Sequence, residues 1–131
     1  MAAMTDAKRI GNMGEAAAEG YLRKKGYEIL ARNYHIPGGE IDIIAADKEY
    51  IIFAEVKTRN ASSIARPSAW VNKRKQKKLI LTASQYIEEN DCELQPRFDV
   101  IEVVYDMHTE IIVSIEHIED AFMQTGDYAV Y

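Results

Sequence analysis

The stretch from Gly38 to Arg59 constrains the fold more than any other part of the chain, because charged residues stand inside its two apolar runs. The runs lie on either side of the polar segment Asp47-Lys48-Glu49 and are rich in Ile, Val and aromatic residues, which predicts a β-hairpin. Asp42, Glu55 and Lys57 interrupt the runs. A charge in an apolar strand is costly unless it is paired or binds an ion, so the hairpin must supply partners.

The turn of this hairpin decides which charges meet. If Lys48-Glu49 is a two-residue loop, counting outward along both antiparallel strands places Asp42 directly opposite Glu55. The period of two along a strand puts Lys57 on the same face as Glu55. Opposed side chains have Cβ atoms about 5 Å apart, and two carboxylates that close repel each other unless a cation lies between them. The turn therefore predicts a site for a cation.

Composition bounds the class of protein. The chain has 131 residues, of which 47% are hydrophobic and 28% charged, and this is typical of one globular domain. We predict a single domain over residues 1–122 and a C-terminal tail, a candidate for disorder, over residues 123–131. The lone Cys92 excludes an internal disulfide framework and a cysteine-based zinc site. No apolar run reaches membrane-spanning length, so we expect a cytoplasmic protein.

Two helices are predicted on either side of the hairpin. The first runs from about Asn12 to Lys25, with Asn12 as N-cap, Glu15 three residues later and Gly26 as the C-terminal cap. The second runs from about Asn72 to Glu89, and its apolar stripe comprises Ile80, Ala83 and Ile87, with Leu79 and Tyr86 at its edges.

The first turns of the second helix are strongly basic. The residues concerned are Lys73, Arg74, Lys75, Lys77 and Lys78. Cations are unfavourable at the N-terminal end of a helix dipole, whereas a basic helix start is a natural phosphate site. The net charge of −5 argues against a protein that is basic throughout, so this local cluster carries the nucleic-acid hypothesis. The alternative is a solvated charged face.

Three further strands complete the prediction, one from Tyr27 to Tyr34 and the others from Arg97 to Tyr105 and Glu110 to Ile118. The element order is then helix, three strands, helix, two strands, which predicts an α/β fold with a mixed sheet and helices on both faces. Arg97 and Asp99 share a strand face and form a structural ion pair most simply.

The charged hairpin resembles a known nuclease pattern. Asp42 followed by Glu55-Val56-Lys57 looks like the D…(D/E)-x-K core of the PD-(D/E)XK superfamily. The wider strings Gly39–Ala45 and Phe53–Arg59 resemble the YraN-like family of bacterial proteins, themselves similar to archaeal Holliday-junction resolvases. The resemblance covers about Gly11 to Phe122. It implies the restriction-endonuclease-like αβββαβ core.

This resemblance also implies a set of ligands around the cation. The backbone carbonyl of Val56 is the third metal ligand in the superfamily, and Glu15 matches the position of a helix glutamate that joins the metal site. Asp42 and Glu55 supply hard oxygen ligands suited to Mg²⁺ or Mn²⁺. Lys57 would orient or deprotonate the attacking water. The predicted catalytic residues are therefore Asp42, Glu55 and Lys57.

The function that these residues favour is metal-dependent hydrolysis of phosphodiester bonds by an endonuclease. The predicted nucleic-acid-binding residues are Lys73, Arg74, Gln76, Lys77 and Arg59, of which Lys73 and Gln76 match residues at the site edge in the resembling families. No base-reading motif is visible, so structure-selective binding is expected. DNA is favoured over RNA as the partner, no membrane is expected, and a homodimer is suggested by the resolvase-like relatives.

Two other functions remain open at this point. One is a non-catalytic nucleic-acid-binding module that keeps the nuclease fold, since nothing in the charged residues forces catalysis. The other is a partner-binding protein in which Asp42, Glu55 and Lys57 form a satisfied ion network. Metal binding distinguishes the ion network from the nuclease and the binding module, and turnover distinguishes the nuclease from the binding module.

Overall fold

The computed structural model describes residues 6–63 and 72–121 of the chain. These ranges hold two helices and five strands in the predicted order. The elements are α1 (Asp6–Lys24), β1 (Glu28–Ile36), β2 (Gly39–Ala46), β3 (Tyr50–Asn60), α2 (Lys73–Asn90), β4 (Gln95–Tyr105) and β5 (Ile112–Ile118).

The five strands form one mixed sheet in the order β1-β2-β3-β4-β5. All neighbouring pairs are antiparallel except β3 and β4, which are parallel and are joined through α2, as a parallel pair requires. Leu79 and Ala83 of α2 pack with Phe53 on one face of the sheet. Ala18 and Leu22 of α1 pack on the other. The predicted α/β class, a mixed sheet flanked by helices, is confirmed.

The hairpin has the predicted turn and register. The side chain of Asp47 accepts hydrogen bonds from the backbone N–H groups of Glu49 and Tyr50, at 2.8 and 2.7 Å. This closes the loop and pairs the strands from Ala46 opposite Ile51 outward. The ladder ends where Ile43 faces Ala54, one step before Asp42 and Glu55.

Strand β3 continues past the end of this ladder. It stays paired with β4 as far as Asn60 opposite Tyr105, whereas its pairing with β2 stops at Ala54. Within the described residues, the last part of β3 is thus paired on one side only. The candidate site lies at this one-sided edge.

The predicted start of the first helix is wrong. Helix α1 begins at Asp6, so Asn12 lies inside the helix and is not an N-cap. Asp6 suits the positive end of the helix dipole, and Arg9 is tied to Glu110 near β5 by a 2.7 Å hydrogen bond, which favours the added turns. The predicted cap at the other end is confirmed, because Gly26 has φ of +99°.

Other boundaries shift by one or two residues. The second helix begins at Lys73 with Asn72 as its N-cap. The last strand begins at Ile112 rather than Glu110, because Glu110 has φ of +59° and its N–H donates to the Asp106 carbonyl in a turn. The apolar stripe of α2 omitted Thr82, which is fully buried.

Gly39 explains why Thr82 is buried. A Cβ atom on Gly39 would lie 1.9 Å from Thr82 Oγ1. Because glycine has no Cβ atom, the start of β2 can approach α2 at a distance that any other residue type at position 39 would prevent. Neither helix in the described ranges is long and apolar enough to span a membrane. The predicted tail over residues 123–131 lies outside the described residues and stays a prediction.

Candidate active site

The site is organised by the contact between Asp42 and Val56. The backbone N–H of Val56 donates to Asp42 Oδ2 at 2.8 Å, so the carboxylate takes the place of a strand partner at the one-sided edge of β3. The N–H and C=O of one strand residue point to the same side. We therefore expect the carbonyl of Val56 to lie on the same side of β3 as Asp42, and its role as a metal ligand stays a prediction.

Asp42 is poorly suited to carry a charge without a cation. Its burial raises its pKa to about 7, and the neighbouring negative charge of Glu55 adds to the rise, against the opposing effect of the Val56 N–H. A proton or a metal ion near Asp42 would therefore be stabilised. The two carboxylates interact electrostatically, as the register predicted.

Glu55 is nearly buried and is surrounded by positive charge. Its residue exposure is 7%, and its Oε1 lies 2.7 Å from Lys75 Nζ and 3.5 Å from Lys57 Nζ. Burial lowers the pKa of Lys57, as does the contact with Lys75. Burial is the largest single influence and would lower the pKa of Lys75, but the hydrogen bond to Glu55 and the negative charge of Glu55 together raise the pKa above its ordinary value. Lys57 is thus the ammonium that loses its proton more readily.

Helix α1 brings Glu15 to the same region. Gly14 permits the close approach, because a Cβ atom there would lie 1.9 Å from Thr58 Oγ1 on β3. Glu15 Oε1 contacts Arg32 Nη2 at 3.5 Å, and the charge of Glu15 is near enough to raise the pKa of Asp42 further. A cleft of about 430 Å³ is lined by Glu15, Val56 and Lys57, among others.

The predicted nucleic-acid-binding residues differ in their exposure to solvent and in their ion pairs. Lys73, Arg74 and Lys77 are exposed on the first turns of α2, and Gln76 is half-buried. Arg59 lies 3.4 Å from the buried Glu102, so its charge is partly used within the protein. Their roles in binding stay predictions.

Lys75 is the residue that the site-residue prediction omitted. It was counted in the basic cluster, but its contact with Glu55 makes it part of the site. A signal was available in the sequence, because Lys75 precedes the buried Leu79 and Ala83 at intervals of four residues and therefore lies on the helix face toward the sheet.

The donor set fits a small, hard cation. Among residues 6–63 and 72–121, no group of three or more His, Cys, Asp or Glu side chains is arranged to hold a metal. Asp42 and Glu55 nevertheless provide two carboxylates, and the Val56 carbonyl adds a backbone oxygen. Mg²⁺ commonly binds through one or two carboxylates and keeps several waters. Glu15 contacts Arg32 instead of completing a three-carboxylate group, so its role as ligand stays a prediction.

Comparison with known proteins assigns the family. The model of the Uncharacterised protein family UPF0102 matches residues 14–103, a range that contains the charged hairpin and α2. The chain belongs to the UPF0102 family. This confirms the resemblance to the YraN-like proteins, and with it the kinship to the PD-(D/E)XK superfamily.

UPF0102 relatives match most of this chain. A UPF0102 protein of Caldanaerobacter subterraneus is 43% identical over 116 residues, which cover 88% of this chain and 95% of the relative. One of Carboxydothermus hydrogenoformans is 50% identical over 95 residues, or 72% of this chain and 80% of the relative. One of Christiangramia forsetii is 37% identical and covers 91% and 98%. Each of these relatives is thus matched over at least four fifths of its own length.

Proposed function

We propose that this protein is a metal-dependent endonuclease that hydrolyses phosphodiester bonds in DNA, selecting its substrate by structure rather than by base sequence. One observation carries the proposal: Asp42, the Val56 backbone and the Glu55–Lys57 pair come together at the one-sided edge of β3. A buried carboxylate and a half-buried one that repel each other beside a lysine are the arrangement that this chemistry needs. The family assignment supports the same reading.

In this proposal the chain's own residues bind, orient and transfer protons. Asp42, Glu55 and the Val56 carbonyl would hold Mg²⁺ or Mn²⁺, which would supply Lewis acidity toward a phosphoryl oxygen and make a nearby water more acidic. Lys57 would orient that water and, in its neutral form, accept the water proton at Nζ; the lowered pKa of Lys57 makes the neutral form easier to reach. Glu15 adds an oxygen ligand, directly or through water.

The basic first turns of α2 hold the nucleic-acid backbone. Lys73, Arg74 and Lys77 are exposed cations at the positive end of the helix, where phosphate oxygens are stabilised. Contacts of this kind are sensitive to salt and largely independent of sequence. Gln76 and Arg59 are proposed to contact the strand nearer to the scissile bond.

The test is cleavage of labelled duplex, single-stranded and four-way-junction DNA with Mg²⁺ or Mn²⁺. Wild type is compared with Glu55→Gln and Lys57→Met, and each variant is first checked for folding. Glu49→Gln and Lys48→Met are matched controls, since both residues are exposed at the opposite end of the same hairpin. Metal-dependent cleavage that the site variants lose and the controls keep supports the proposal.

A second candidate function is a non-catalytic nucleic-acid-binding module. The observation that favours it is the contact of Glu55 with two ammonium groups, which already neutralise the carboxylate without a metal. In that case DNA binds with a steep salt dependence but is not cleaved. If DNA is neither cleaved nor bound, the ion network is structural and both functions are excluded.

A further inference from the structure

Lys75 makes the shortest ionic contact in the candidate site. Its backbone N–H is fixed by the Asn72 side chain at 2.9 Å, so the residue belongs to the capped first turn of α2. From there its Nζ reaches Glu55 Oε1 at 2.7 Å. Lys57 Nζ lies 3.5 Å from the same oxygen. Lys75 is thus the main cation that holds Glu55.

The two side chains of this contact differ in their access to water. The side chain of Glu55 is 9% exposed, whereas that of Lys75 is 42% exposed. Lysine has four rotatable side-chain bonds and is strongly hydrated, so its ammonium can move into solvent without disturbing the helix. Glu55 is fixed on β3, which pairs with β4 at this position, and a charged Glu55 left without a partner there would be unstable.

A divalent cation and Lys75 compete for the same carboxylate, whose Oε1 already accepts from Lys75. A Mg²⁺ ligand oxygen lies about 2.1 Å from the ion, so an ammonium on that oxygen would be within about 5 Å of a double positive charge. The repulsion is strong because the site is partly shielded from water. Either the metal stays out or Lys75 leaves Glu55.

We propose that Lys75 is a positioning residue that holds the Glu55 carboxylate in the metal-free protein and must leave it when a divalent cation binds. The inference rests on the proposed metal site formed by Asp42, Glu55 and the Val56 carbonyl. It adds that this chain carries its own competing cation. Lys75 keeps Glu55 oriented and compensated, and it makes the site harder for a metal to occupy.

The test is a calorimetric titration of the folded, nucleic-acid-free protein with Mn²⁺. Lys75→Met removes the competing ammonium and keeps an unbranched side chain of similar length. We expect Mn²⁺ to bind Lys75→Met about tenfold more tightly than wild type, a common size for coupled sites. Lys75→Arg retains a cation and should stay near the wild-type affinity.

The matched control is Lys78→Met. Lys78 is exposed on the same helix, so its removal changes the net charge equally without freeing Glu55. An equal gain in both variants would reduce the effect to general electrostatics and overturn the inference. A structural ion pair, by contrast, predicts unchanged or weaker Mn²⁺ binding when Lys75 is lost.

A further variant separates failure of this inference from failure of the proposed function. If wild type binds Mn²⁺ and Glu55→Gln does not, the metal site stands. An unchanged affinity in Lys75→Met would then overturn the role of Lys75 alone. If neither wild type nor Lys75→Met binds Mn²⁺, both the metal site and the inference are overturned.

Discussion

Two carboxylates in this sheet, the buried Asp99 and the half-buried Asp42, have opposite surroundings. Asp99, on the α1 face, accepts hydrogen bonds from Arg97 at 2.8 and 2.9 Å, from His117 at 2.6 Å and from the Asp120 backbone at 3.0 Å. Asp42, at the start of β2, accepts the Val56 N–H and lies beside a second carboxylate. The first carboxylate is saturated with donors, and the second has a negative neighbour.

Electrostatics express the same contrast. Burial alone would raise the pKa of Asp99, but the hydrogen bonds from His117 and Arg97 hold it below its usual value. The pKa of Asp42 instead rises to about 7, because burial and the charge of Glu55 act together. A satisfied buried network is typical of structural roles, whereas a strained pair with a raised pKa is typical of functional sites.

The network around Asp99 has a visible structural task. Arg97 also donates to Tyr27 Oη at 2.8 Å and stacks over Tyr50 at 4.9 Å from the ring centroid. Asp99 binds the turn after β5 through Asp120, and the Ala121 N–H donates to the Phe98 carbonyl at 2.7 Å. Helix α1, β4 and the end of β5 are thereby tied together.

The largest expected effect comes from removing the charge of Asp99. Asp99→Asn should lower the free energy of unfolding at pH 7 by about 3–5 kcal/mol, because Arg97 loses its buried partner. The stabilisation by Asp99 is present above the ordinary aspartate pKa and is lost as the pH falls through the lowered folded pKa. Urea denaturation at pH 7 and pH 3 measures the loss of unfolding free energy and its dependence on pH. An equal loss at the two pH values would contradict this account.

The same substitution at the candidate site should have the opposite sign. Because the folded protein holds the Asp42 proton more tightly than the unfolded chain, ionisation costs stability as the pH rises from 3.8 to about 7. Asp42→Asn removes this cost and should raise the free energy of unfolding by about 1–2 kcal/mol at pH 8 without metal. At pH 3.5 the gain should vanish. A destabilised Asp42→Asn at pH 8 would break the comparison.

The features of the two carboxylate sites that depend on residues near each other in the sequence could be predicted. The Asp47 turn, the strand period and the hairpin register follow from neighbouring residues, and they placed Asp42 beside Glu55. The Arg97–Asp99 ion pair likewise follows from two residues on one strand face and is confirmed.

The parts that depend on how elements pack could not be predicted. His117 reaches Asp99 from β5, and Arg32 reaches Glu15 from β1. Lys75 reaches Glu55 from α2, and here the sequence indicates the helix face of Lys75 but not its partner. Each contact depends on the distance and angle between elements, which no local pattern fixes. The start of α1 could not be predicted from Asn12 for the same reason, since the contact of Arg9 with Glu110 is formed only in the folded chain.

Metal binding should change the free energy of unfolding by less than these two substitutions, and the change should depend on the candidate site rather than on the Asp99 network. At about ten times its dissociation constant, Mn²⁺ should raise the free energy of unfolding of wild type by about 1.4 kcal/mol. Glu55→Gln and Asp42→Asn should abolish the rise, because each removes a carboxylate ligand. Thermal denaturation with and without Mn²⁺ measures this. Glu49→Gln, at the turn of the same hairpin, is the control, and its loss of the rise would place the metal elsewhere.

The smallest expected effect is a difference in nucleic-acid binding between a lysine on α2 and a lysine on α1. Lys77→Ala on α2 should weaken DNA binding and reduce the slope of log affinity against log salt by about one, as expected for one lost phosphate contact. Lys24→Ala is the matched control, since Lys24 is equally exposed but ends α1 on the opposite face. Fluorescence anisotropy over a range of salt concentrations measures both slopes. If the two variants change the slope equally, DNA is attracted by the protein's charge in general and the basic start of α2 is not its binding surface.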